Sequence, residues 1–171
     1  ASDVYKRQII LLIISFPLKA DNIFVEAESF DCRGGWVLDN QSMGQMGSPY
    51  LLAHGLGVPV ENASTVIRVE NGGKYRVWVR TRDWVKQWDQ TASPGRFELL
   101  LNGKALEVTF GTERAEWHWQ DGGTICLKTG ENRVELRDLT GFDGRCDAIF
   151  FTSALEMLPP DAVSYTHLRA H

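Results

Sequence analysis

Glu26 and Glu28 stand two apart in the stretch NIFVEAESFD, Asn22 to Asp31. In an extended strand, side chains two apart share a face, so these like charges would be neighbours. Asp147, which opens the apolar run CDAIFFT, offers a third carboxylate. Such oxygens suit calcium, which accepts carboxylates and carbonyls in a flexible geometry, and a divalent cation would offset the repulsion. A plainer arrangement fits the same residues, with one glutamate in solvent and the other against an arginine. Zinc is a poor match, because between Asp21 and Ala162 there is neither an H-x-x-x-H pair nor a C-x-x-C pair.

A second group of residues has the chemistry of sugar recognition. Aromatic faces stack on the apolar C–H patches of a sugar, and charged or amide groups read its hydroxyls. TRDWVKQWDQ carries Asp83, Trp84 and Trp88, LTGFDGRCD carries Asp143 and Arg145, and HGLG begins at His54. Trp84 and Trp88 lie in a polar run closed by Pro94 and Gly95, which predicts exposure. Trp117 and Trp119 share one strand face with His118 on the other, and their size favours the core.

Catalytic patterns fit less well. HGLG resembles an oxyanion loop, but no G-x-S-x-G elbow accompanies it. The GLG triplet lacks the third glycine and the helix of a dinucleotide site. Cys146 beside Asp147 begins an apolar strand, which predicts a buried, unreactive thiol. A disulfide between Cys32 and Cys146 is open if the first and last strands are neighbours, with one of the three cysteines left over.

The elements that must position these groups are strands. In YRVWVRT, Tyr75, Val77, Val79 and Thr81 alternate with Arg76, Trp78 and Arg80. RFELLLNGKALEVTF is a hairpin about Asn102-Gly103. WHWQDGGTICL is expected to turn at Asp121-Gly122-Gly123, and Val134 and Leu136 of ENRVELRDL are expected to face inward. With no sustained helical period, the reading is all-β, an antiparallel two-sheet β-sandwich. Its long irregular segments, 34–57 and 81–95, are the places for a binding site.

The 171 residues suit one domain, placed at 21–157, with 158–162 starting a linker. Hydrophobic residues at 43% and charged residues at 23% are a globular balance. A net charge of −4 without a basic stripe gives no reason to expect nucleic acid. Residues 9–20 form a short apolar run ending in Ala20, the layout of a signal peptide and too short for a comfortable membrane span. A secreted or periplasmic protein is expected. Residues 1–8 and 163–171 resemble translated sequencing adapters and are set aside.

EAE early in the chain, GKYRVWVRTR in the middle and RCDAIFF at the end resemble a galactose-binding-like jelly roll. This is the sandwich of carbohydrate-binding modules of families six and thirty-five, and of golvesin and xanthan-lyase type modules. The resemblance implies a structural calcium ion (Ca2+) held by Glu26, Glu28 and Asp147, and a polysaccharide or glycan partner at the loop end. His54, Asp83, Trp84, Trp88, Asp143 and Arg145 are the ligand candidates there. Arg145 stands where these modules commonly carry an amide, and an arginine suits acidic sugars or a carboxylate. GGWVLDNQSMGQMGSPYLLAHGLG and EWHWQDGG, with LTGFDGRCDAI, also resemble the N-terminal region of secreted bacterial FAD-dependent oxidoreductases. That resemblance implies an accessory or docking role here, with FAD bound only in a downstream catalytic domain of the same chain.

Overall fold

The computed structural model describes residues 20–160. The apolar run preceding Ala20, both adapter-like ends and residues 161–162 of the expected linker lie outside the described residues. Ten strands follow one another: β1 (Asn22–Glu26), β2 (Val37–Asp39), β3 (Tyr50–His54), β4 (Ala63–Val69), β5 (Gly73–Thr81), β6 (Phe97–Leu101), β7 (Lys104–Phe110), β8 (His118–Leu127), β9 (Gly130–Asp138) and β10 (Phe142–Thr152). One sheet runs β2-β3-β10-β5-β8 with β1 also on β10, and the other runs β4-β9-β6-β7. Every pairing is antiparallel. The expected two-sheet all-β sandwich is the fold observed.

Alternation places the core as the sequence requires. Tyr75, Val77, Val79 and Thr81 are all buried, and Val134 and Leu136 face them from the second sheet at 0% exposure. Asn102 and Gly103 both have positive φ, 51° and 84°, the geometry of a two-residue hairpin turn. Trp36 packs edge-on against Phe97 at 5.6 Å between centroids, and Phe97 against Phe110 at 5.8 Å.

Several local expectations need correction. The chain does not turn at Asp121-Gly122-Gly123; β8 continues through it, and a register slip opposite Arg76 to Trp78 absorbs the irregularity. Glycine here serves close approach, since a Cβ on Gly122 would stand 2.8 Å from Val77 Cγ1. The segment 34–57 holds β2, β3 and a one-turn helix, α1 (Met43–Met46). β1 ends at Glu26, and Glu28 belongs to a 3-10 turn, Ala27–Ser29, so the two glutamates do not share one strand face. Asp147 lies in the middle of β10 and does not open it.

The pairing of β10 governs the site. One edge of β10 is covered by β5 from Cys146 onward. Its other edge is shared: β3 covers Phe142–Cys146 and β1 covers Ala148–Thr152. The handover falls at Asp147, where the β5 pairing also slips between Cys146 and Ala148. A bulge of this kind re-aims the side chain it carries. Among the described residues no helix is long and apolar enough to cross a membrane.

Phe97 has 0% exposure at the meeting of two aromatic contacts. Phe97→Ala is expected to cost about 3–5 kcal/mol of stability, read from the denaturant midpoint at unchanged slope; a loss below about 1 kcal/mol would mean that this contact does not build the core.

Candidate functional site

Two clusters lie along β10, one at its middle and one at its start. At the middle, Glu26 pairs with Ala148, and Ala148 pairs with Arg80 of β5. Directly opposed residues share a face, so Glu26 and Arg80 flank the small side chain of Ala148. Arg80 Nη1 stands 3.6 Å from Asp147 Oδ2, with both side chains almost wholly buried. Glu28 reaches the same neighbourhood from the 3-10 turn. Burial pushes the Cys146 thiol well up, and the charges of Asp147 and Glu28 raise it further. Glu26 Oε1, Glu28 Oε2 and Asp147 Oδ1 are all shut off from solvent.

Burying carboxylates is costly unless positive charge accompanies them. Here the Arg80 guanidinium stands beside Asp147. As the side chains stand, no three His, Cys, Asp or Glu residues among those described form a group that could hold a metal ion.

At the start of β10 the loop-end residues gather. His54 Nδ1 is 2.6 Å from Asp143 Oδ1. The Arg145 guanidinium lies 5.6 Å over the Trp84 ring, and Trp84 packs edge-on against Trp88 at 6.4 Å. Trp84 Nε1–H donates to Phe142 O at 3.2 Å, and Arg145 Nη1–H to Asp143 O at 2.7 Å. Trp88 is 71% exposed and Trp84 half-buried, as the polar run implied.

Asp83 departs from the expected ligand role. Its side chain is fully buried, accepts Val85 N–H at 3.2 Å and stands 3.7 Å from Lys86 Nζ. Lys86 in turn donates to Gln90 O and Ala92 O. Asp83 therefore shapes the loop that displays Trp84 and Trp88, and does not face a ligand.

Three residues of this neighbourhood, Arg82, Trp117 and Tyr50, were not among the expected ligand candidates. Arg82 follows Arg80 by two, so the alternation of β5 carried one step further would have placed it on the same face. Its pKa is lowered, first by desolvation and then by the nearby charge of Arg145. Its Nε is buried and meets no hydrogen-bond acceptor, and the same is true of Trp117 Nε1. Tyr50 packs edge-on against Trp117 at 4.8 Å. Burial raises the Tyr50 pKa, opposed by its hydrogen bond and charge interaction with Arg145.

Trp117 and Trp119 are half-buried and belong to the outer face of the first sheet, outside the inter-sheet core. Trp119 packs near Phe24 and Phe150, and its Nε1–H donates to Pro160 O at 3.2 Å. The open Cys32–Cys146 disulfide is not formed: all three cysteines are free, with Cys32 and Cys126 exposed and Cys146 buried. A notch of about 380 Å³ lined by Asp21, Arg68, Glu70 and Tyr75 lies at the other end of the sandwich, away from these groups.

The geometry has counterparts among solved structures. The chain aligns with a GH26-CBM35 β-(1,4)-mannanase from Podospora anserina at 21% identity and a TM-score of 0.60, covering 81% of this chain and 29% of the mannanase. A family 35 carbohydrate binding module from Clostridium thermocellum aligns at 16% identity and a TM-score of 0.58, over 77% of this chain and 97% of the module. A CBM35 from Cellvibrio japonicus aligns at 19% identity and a TM-score of 0.55, over 77% and 92%. This chain therefore shares the two-sheet β-sandwich fold of those modules. No family model matches the sequence, and no curated protein does.

Thiol chemistry checks the placement of β10. Alkylation of the native protein at mildly alkaline pH is expected to label Cys32 and Cys126 and spare Cys146 until the chain unfolds. Equal labelling of all three in the native state would contradict the burial of the seam.

Proposed function

We propose that this chain is an exported, non-catalytic glycan-binding module whose ligand carries a carboxylate. The fold shared with proteins named as carbohydrate-binding modules supports the glycan. The observation that carries the acidic ligand is the nearness of Arg82 and Arg145. Two guanidinium groups repel, and the Arg82 charge is already disfavoured by desolvation and by Arg145. A carboxylate placed between them relieves both costs and can accept from Arg82 Nε, which meets no acceptor in the free protein. Trp84 and Trp88 supply ring faces for the sugar, and Trp117 Nε1–H supplies a further donor. The apolar run at residues 9–20 supports export.

We also propose a structural calcium ion between Glu26, Glu28 and Asp147. The donor chemistry fits, as all three are hard oxygen ligands. The ion would fasten the end of β1 and its 3-10 turn to the bulge in β10.

Titration calorimetry with polygalacturonate oligosaccharides and with neutral manno-oligosaccharides tests the ligand. The acidic chains are expected to bind, and Arg145→Met or Arg82→Met to weaken them roughly tenfold to a hundredfold. Equal binding of both classes would refute the acidic reading, and binding of neither would refute the glycan reading. For the cation, a chelator is expected to lower the melting temperature and added calcium to restore it, since a ligand held only by the native state stabilises it. Superimposable melting curves would remove the calcium.

A further inference from the structure

His54 and Asp143 entered as ligand candidates, but their geometry gives them another task. Asp143 has φ of +61°, a left-handed conformation uncommon outside glycine. It is the extra residue where the β10–β3 register slips between Phe142 and Gly144. His54, the last residue of β3, pairs with Phe142 in that register, so it stands beside the bulge. Its Nδ1–H donates to Asp143 Oδ1 at 2.6 Å, a short bond to a charged acceptor.

The two carbonyls at this bulge serve the ligand end. Phe142 O accepts the Trp84 indole, and Asp143 O accepts the Arg145 guanidinium. The same backbone backs the loop that bears Trp84 and Trp88. A Cβ added to Gly95, where that loop returns, would stand 3.0 Å from Asp143 O. A shift of the bulge therefore moves an aromatic face and a cation together.

We propose that His54 is a positioning residue: through Asp143 it fixes the Phe142–Gly144 bulge, and through the bulge it fixes Trp84 and Arg145 for ligand. His54 itself makes no ligand contact in this arrangement. The importance of that positioning for binding rests on the glycan reading above, but the positioning itself does not.

The test separates the two. The protein has six tryptophans, whose indole N–H signals can be followed in 15N-labelled protein, with Trp84→Phe assigning the relevant one. His54→Ala is expected to displace the Trp84 indole signal and speed its hydrogen exchange while the other five stay in place. His54→Asn, whose amide N–H stands on Cγ where Nδ1 does, keeps a donor toward Asp143 and is expected to return that signal. In the same samples His54→Ala weakens polygalacturonate oligosaccharide binding on the order of tenfold, and His54→Asn recovers most of it. An unmoved Trp84 signal in His54→Ala overturns the proposal. So does a change spread over all six indoles that His54→Asn fails to reverse, because that marks a general loss of structure. If the wild-type protein binds no polygalacturonate, the acidic-glycan reading falls and the indole signals alone decide the role of His54.

Discussion

Carboxylate oxygens of Glu26, Glu28 and Asp147 that are shut off from solvent set the terms for the rest of this structure. Glu26 ends β1, Glu28 follows in a tight turn, and Asp147 sits at a bulge in β10, where one strand edge passes from β3 to β1. An edge handover leaves a gap in the ladder, and the polar groups beside it must find partners. Arg80 supplies one positive charge across Ala148. The proposed cation would sit at the joint where β1 is pinned to β10.

From that joint the loop end follows almost mechanically. β10 carries Asp147 at its middle and Arg145 two residues earlier, so whatever fixes the first fixes the base of the second. A second bulge, at Asp143, turns the beginning of the same strand outward. Its carbonyls then hold a tryptophan and an arginine in place. Ligand recognition by a rigid aromatic face and a pre-aimed guanidinium loses little conformational entropy on binding. A loop of this length would otherwise have to be ordered by the ligand itself. The buried Asp83–Lys86 pair performs the same service from within the loop.

Much of this was legible in the residues. Alternation in YRVWVRT located the core face of β5, and Asn102-Gly103 located the β6–β7 hairpin, because both signals are local. The expectation that Glu26 and Glu28 share one strand face was wrong: Glu26 ends β1, Glu28 lies in the 3-10 turn after it, and Asp147 sits at a bulge in β10. Bulges depend on cross-strand register, which no single stretch encodes. The same limit hid the continuity of β8 through Asp121-Gly122-Gly123. Asp83 looked like a surface acid because its neighbours are polar, whereas Lys86, one turn on, takes it inside. Arg82 stood in the same loop motif but was not taken as a ligand candidate, although alternation carried one step past Thr81 puts it on the face of Arg80. The likeness to the leading region of flavin enzymes rests on short sequence motifs, and the fold carries it no further.

Diffraction from crystals grown with calcium bears most directly on the acid-lined joint. The account predicts one ion at about 2.3–2.6 Å from oxygens of Glu26, Glu28 and Asp147, with Arg80 remaining against Asp147. Density showing the Arg80 guanidinium alone at the centre of the three acids, with calcium in the crystal but none among them, would contradict it.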